Sequence, residues 1–345
     1  MTLMLTAAVA LAQSAGAPVV EIENFIGEVR IEQGARLDAR LERPGGNTAD
    51  IRAQDGAVYV DGGHAMRRMR CYGRGEDQRV GVSRRDAVAF SELPLLIITA
   101  PDPAALRLQQ SIVRAEAGDL ASLTLGLSHC GAFEAGAIRG DANIAVSGSA
   151  DVETGDVGGG LDAGVSGSGD LQLGRVGGAA SVGVSGSGNV QMRDVDGALS
   201  VRVSGSGDVG AGDVEALSAR SSGSGDIEIG NAPGGIDYHS SGSGDLQVGV
   251  TSDVSVRASG SSAVRIAAMN GALEVSASGS GAVRIQDGEA SRVSARVGGS
   301  GDVWFGGTAR AVDVRISGGG DVYVAEVTGD RDIRTSGGGR FRSGR

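Results

Sequence analysis

Apolar and polar residues alternate with a period of two along most of this chain. Leu199-Val201-Val203, Val182-Val184, Leu273-Val275 and Val312-Val314-Ile316 are such runs. Alternation of this kind marks a strand with one buried face. Each run leads into a glycine- and serine-rich hexad, and a second alternation follows it, as in Leu171-Leu173, Val190-Met192, Ile227-Ile229 and Val303-Phe305. A third apolar residue then closes the unit, for example Val157, Val176, Val195, Val214 or Val327. The pattern predicts two clear strands and a shorter third side per repeat.

The hexad sets the period. It reads SGSADV from Ser147, SGSGDL from Ser166, SGSGNV from Ser185, SGSGDV from Ser204, SGSGDI from Ser222 and SGSGDL from Ser241. It goes on as SGSSAV from Ser259, SGSGAV from Ser278, GGSGDV from Gly298, SGGGDV from Ser317 and SGGGRF from Ser336, with SHCGAF from Ser128 in register upstream. Copies stand eighteen to twenty residues apart, most often nineteen. A short exact period means stacked units that bury their faces only against one another. The expected fold is all-β: a single-stranded parallel β-helix, or β-solenoid, of about nineteen residues per coil, right-handed by the general preference of parallel crossovers. Twelve coils stacked at strand spacing make a rod of about 55–60 Å.

Parity assigns the hexad. Val201, Val203, Gly205, Gly207 and Val209 share one face, and Ser204, Ser206 and Asp208 the other. Either the backbone stays extended and the glycines face the core, or it turns and they supply positive φ. Both readings predict a glycine seam where only hydrogen fits, with the polar residues outside.

Upstream the repeat fades. Residues 1–12, extending at most to 17, read as a signal peptide: an apolar stretch ends at Ala10-Leu11-Ala12, although no Lys or Arg precedes it. The stretch is too short to span a membrane, and no later segment qualifies. Residues 13–127 read as an N-terminal cap with irregular coils, containing strands over 19–31, 57–60 and 95–100. Residues 128–345 read as the regular coils plus a C-terminal cap, where Arg340, Arg342 and Arg345 would oppose end-to-end stacking. Export to the periplasm or cell surface is the expected location.

Composition narrows the picture. Glycine is abundant at 61 residues, but with only 6 prolines and no triplet period the chain is not collagen-like. Aromatics make up 3%, which suits a core too thin for rings. The net charge is −11 with arginine and no lysine, so nucleic acid is not the expected partner. One basic stretch stands out: Arg67, Arg68, Arg70 and Arg74, followed by Arg79, Arg84 and Arg85. It reads first as a solvated loop and second as a contact for an anionic partner.

Four candidate chemistries follow. Cys71 and Cys130 either form one disulfide tying the N-terminal region to the first coil or are two unrelated buried thiols. The hexad aspartates Asp151, Asp170, Asp208, Asp226 and Asp245 invite a calcium ladder. Asn189, Ala263 and Ala282 interrupt that row, so carboxylates acting as turn-stabilising acceptors are the favoured reading. A regular lattice of serines could match a crystalline surface, but there is one tryptophan, Trp304, and no aromatic row to stack sugars. Catalysis has little support: His64, His129 and His239 fall in no local nucleophile motif, and short coils leave no room for a cleft.

The opening EIENFIGEVRIEQG, a middle region ending in a short apolar strand and Pro101, and the serial SGSGDV coils together resemble the auto-transporter adhesin head (GIN) domain family of bacterial envelope proteins. The resemblance covers nearly the whole chain beyond the signal peptide. It implies a β-helix at the periplasm or surface without an established enzymatic activity, whereas this chain carries no outer-membrane barrel. The expected function is a non-enzymatic, adhesin-like structural or interaction module with no cofactor, presenting stacked Ser/Asp faces to an envelope protein or surface polymer. The alternative is a calcium-dependent binder using the Asp ladder, and less favoured is a β-helical polysaccharide-active enzyme.

Overall fold

A computed structural model describes residues 17–43, 49–73, 75–101 and 103–344. Residues 1–16 of the segment read as a signal peptide, together with Arg74 and Arg345, lie outside the described residues. The chain is a β-solenoid with about thirteen successive turns spaced by about nineteen residues. Each coil gives one strand to each of two long parallel ladders. Strands that precede a hexad, such as Ala180–Val184, Leu199–Val203 and Leu217–Ser221, stack residue on residue. Strands that follow it, such as Val190–Met192, Val209–Ala211 and Ile227–Ile229, form the second ladder. The third side is a row of single bridges joining Leu120, Ile138, Val157, Val176, Val195 and Val214. These positions fill one continuous apolar core running the length of the stack.

The hexad glycines are needed for a reason that differs from a left-handed corner. None of Gly186, Gly205 or Gly207 has positive φ. A Cβ on Gly205 would instead stand 1.9 Å from the carbonyl oxygen of Gly186, one coil before. That same oxygen accepts the Ser206 N–H at 2.9 Å. The seam is therefore set by how closely stacked coils approach, while Ser204, Ser206 and Asp208 are exposed as parity requires.

At the N-terminal end, chain order and spatial order part. Val19–Glu23 pairs in parallel with both Ala57–Asp61 and the first half of Ala104–Ala117. Ile26–Gln33 likewise lies between Leu95–Ala100 and the second half of that strand. The first coil of the chain is thus second in the stack. The stretch expected as one strand over 19–31 breaks at Asn24, whose φ is 51°, to turn that coil's corner. The parallel ladder continues across residue 127, and the coil from Ala104 joins the repeat that follows with register shifts between Ala104 and Ala105 and between Leu108 and Ser111. The open end is closed by two antiparallel strands, Asp50–Gln54 on Ala57–Asp61 and Asp38–Arg43 on Leu95–Ala100. Reversed polarity and exposed charges keep this edge from templating another chain.

Contrary to the expectation from composition, the core admits rings, with Phe25, Phe133 and Phe305 buried in it, and one coil carries a polar one. Ile236–Ser240 puts Tyr238, fully buried, where neighbouring coils carry Ala219 and Val256. Its phenol donates to the Gly244 carbonyl at 3.2 Å. Ser221, Ser240 and Ser262, all buried, stand around it. Burial raises the Tyr238 pKa, and the three serine hydroxyls oppose that rise. Ser221 and Ser240 take the places that Val203 and Ala258 hold on neighbouring strands, and Ser262 stands in the hexad's glycine column, so three small polar residues surround the buried phenol.

Candidate functional site

The hexad carboxylates point along the stack. Asp151 Oδ1 accepts the Asp170 N–H at 3.1 Å, Asp170 accepts that of Asn189 at 2.7 Å, and Asn189 accepts that of Asp208 at 2.9 Å. Asp208 accepts from Asp226, Asp226 from Asp245, and Asp245 from Ala263, at 2.7–2.8 Å. Each side chain thus satisfies a main-chain donor of the next coil, at a place where the corner takes the N–H out of the regular ladder. This explains the gaps in the row. Asn189 offers the same kind of oxygen as Asp, while Ala263 donates its N–H to Asp245 but has no side-chain oxygen to accept the next.

A parallel row on the third side escaped the sequence reading. Asp119, Asp156, Asp194, Asp213 and Asn231 each accept the N–H of the residue one coil onward, at 2.9–3.0 Å for the first four and 2.8 Å for the last. The signal was available, since these residues precede Ile138, Val157, Val195, Val214 and Ala232 or stand a coil from them. Among the described residues no three His, Cys, Asp or Glu side chains converge to hold a metal ion. Carboxylates spent on successive N–H groups stand in a line, whereas calcium requires several oxygens around one point.

These contacts carry a prediction. Asp208→Asn is expected to leave stability unchanged, and Asp208→Ala to lower it by about 1 kcal/mol through loss of one acceptor. Urea midpoints measure this, with the wild-type melting temperature expected to be equal in calcium and in chelator. A calcium-dependent rise that Asp208→Asn abolishes would return the row to the metal reading.

Residues 62–94 form an insertion between Ala57–Asp61 and Leu95–Ala100. It contains a small antiparallel sheet of Arg70–Tyr72, Arg79–Gly81 and Val88–Ala89. Cys71 is bonded to Cys130, with Cα atoms 6.2 Å apart. Val80 and Phe90 of the insertion pack with Ile26, Ile112 and Cys130 of the solenoid. The Arg114 guanidinium lies 4.9 Å from the Phe90 ring centre and donates to the Gly75 carbonyl. Arg67, Arg68 and Arg70 are exposed on this insertion, as are Arg84 and Arg85.

The histidines do not converge. Burial lowers the pKa of both His64 and His129. Ser128 Oγ lies 3.0 Å from His129 Nδ1, yet no carboxylate is ion-paired with His129 among the described residues. His239 sits elsewhere, on the outward face of the first ladder.

That face carries an ordered column. Gly164, Gly183, Arg202, Arg220, His239 and Arg257 are successive partners on neighbouring strands. Arg257 donates to His239 Nε2 at 3.1 Å and to Ser255 Oγ at 3.2 Å, and lies 3.5 Å from Asp237. Further on, Arg296 pairs with Glu274, Arg315 with Asp313, and Arg334 with Asp332. On the second ladder, Trp304 stacks on Tyr323 with centroids 5.7 Å apart, and Arg284 covers its other face at 4.3 Å. Both Trp304 faces are occupied within the chain, so the pair is a lateral ladder contact rather than an open sugar platform.

No curated protein matches the chain, and no solved structure does. No helix among the described residues is long and apolar enough to cross a membrane, which leaves β-barrels unaddressed. One family does match, described as "Putative auto-transporter adhesin, head GIN domain", over residues 95–233 and 254–343. The gap between the two matched segments holds the coil with Tyr238 and His239. With more than half its length matched, and with the stacked-coil fold built from those same residues, the chain belongs to the GIN-domain family of auto-transporter adhesin heads.

Proposed function

We propose that this protein is an exported, non-enzymatic envelope protein that works as an adhesin-like interaction module, contacting an envelope protein or surface polymer through the outward faces of its coils. The observation that carries the reading is the columnar surface. From Ala104 to Ser343 the coils stack in parallel, with register shifts confined to Ala104–Ser111, Gly271–Ala272, Ile285–Glu289 and Phe305–Thr308, so between those places each outward position repeats about every 4.8 Å along the axis. Such a surface offers many equivalent weak contacts rather than one concentrated site, and multiplicity of that kind suits a polymeric or arrayed partner. The family's adhesin-head description supports the same role, and fold alone would not establish it.

The test is partition of the purified chain onto isolated envelope fractions, before and after protein removal by protease. Saturable co-sedimentation is expected. A chain that stays in the supernatant with every fraction would overturn the role. Retention that survives protease treatment would point to a polymer, and retention lost on treatment to an envelope protein.

A further inference from the structure

The first ladder's outward face contains a groove of about 570 Å³ lined by Arg202, Arg220, His239 and Arg257, with Ser204 and Ser222 on its rim. The serine rim continues through Ser241 and Ser259 on the following coils. On the other flank stand Ser200 and Ser218. A second groove continues the first upstream, with Gly164 and Gly183 on its floor and Ser166 and Ser185 on its rim. The two together make one trough parallel to the solenoid axis.

Two observations separate this trough from the rest of the surface. Arg202 and Arg220 are exposed and have no ion-pair partner among the described residues, while the arginines further along the column are paired with Glu274, Asp313 or Asp332. Guanidinium groups stacked one coil apart repel one another by about 1 kcal/mol in water, so their placement works against the fold. The glycines upstream are equally unexplained by packing. A Cβ on Gly164 or Gly183 would meet nothing within 4 Å, unlike one on Gly186, Gly205 or Gly207. Glycine in mid-strand costs stability and often marks a place where something approaches the backbone.

We infer that this trough binds an extended anionic polysaccharide bearing carboxylates, laid along the axis with its acid groups on Arg202 and Arg220. The inference rests on the proposed envelope role and names the partner's chemistry. Arginine's planar fork matches a carboxylate bidentately. The flanking serine hydroxyls donate and accept, as sugar hydroxyls require. The serine rim favours a glycan over an acidic peptide, because rows of hydroxyls can serve ring hydroxyls along the whole polymer, between its acid groups as well as at them. The bare floor at Gly164 and Gly183 lets the polymer continue beyond the cations, close to the strand.

The test measures binding of the full chain to polygalacturonate, neutral dextran and poly-aspartate by affinity electrophoresis and calorimetry. Polygalacturonate is expected to bind, with affinity falling as salt rises, and dextran to bind at least tenfold more weakly. Arg202→Ser with Arg220→Ser should weaken polygalacturonate binding tenfold or more while leaving the melting temperature equal or higher. Arg67→Ser with Arg68→Ser, on the distant insertion, should leave it unchanged. Equal binding by wild type and the trough variant would overturn the site. Poly-aspartate binding as tightly as polygalacturonate would overturn the glycan assignment in favour of an acidic protein. If the trough variant still partitions onto envelope fractions like wild type, this inference fails while the envelope role stands.

Discussion

Replacing Gly205 by alanine is expected to cost about 3 kcal/mol or more, at the upper end of what one added methyl does to a packed interior. The new Cβ would overlap the Gly186 carbonyl oxygen at 1.9 Å. That oxygen already accepts the Ser206 N–H, so relief by moving apart would break a ladder bond as well. Coil stacking couples nearest neighbours, and the damage should therefore split unfolding into two steps on either side of the substitution. Gly183→Ala is the control: with open space at its Cβ it should be neutral or stabilising by about 0.5–1 kcal/mol. Urea unfolding followed by far-ultraviolet dichroism compares the two. Matching midpoints for Gly205→Ala and wild type would mean that close approach does not govern the seam. Both glycine columns have exceptions, with His129 in the Gly205 column at the first hexad and Ala150 and Ser262 in the neighbouring one.

Removal of the Cys71–Cys130 bond should have an effect of comparable size. The bond closes a loop with a sequence separation of 59, for which the chain-entropy argument gives about 4 kcal/mol and measured losses run at about 2–4 kcal/mol. The loss should be local. The insertion's own apolar contacts with the solenoid are few, chiefly Val80 and Phe90 against Ile26 and Ile112, whereas the solenoid core is continuous without them. In Cys71→Ser/Cys130→Ser, trypsin should cut rapidly at the exposed Arg84 and Arg85 while the coils from Leu95 onward persist as a resistant fragment. Equal cleavage rates with and without the bond would show that packing alone holds the insertion.

Much of this architecture was legible because the information is local. The period, the two strands per coil and the inward parity of Val201, Val203 and Val209 follow from spacing and alternation within one repeat. The glycine seam was legible too, but not its cause. Positive φ and close approach leave the same residue in the sequence, and only the stacked coils show that Gly205 faces the backbone of Gly186. The role of the hexad aspartates divides in the same way. The gaps at Ala263 and Ala282 argued against a ligand row, yet the acceptor geometry lies between coils nineteen residues apart. Trp304 read as a lone aromatic because its partner Tyr323 stands one coil away.

What the sequence determined by itself is the coil: its length, its sides, its buried positions and the place of its glycines. These depend on contacts within some nineteen residues and on the constant demand that apolar faces be covered. Tertiary structure alone decided the columns and the order at the N-terminal end. Coils of eighteen, nineteen and twenty residues must first be set in register before Arg202, Arg220, His239 and Arg257 become one trough. Likewise, the placing of Val19–Glu23 between Ala57–Asp61 and Ala104–Ala117 is a choice among equivalent parallel edges. Local pattern marks a strand as needing neighbours, and only the assembled stack settles which neighbours it has.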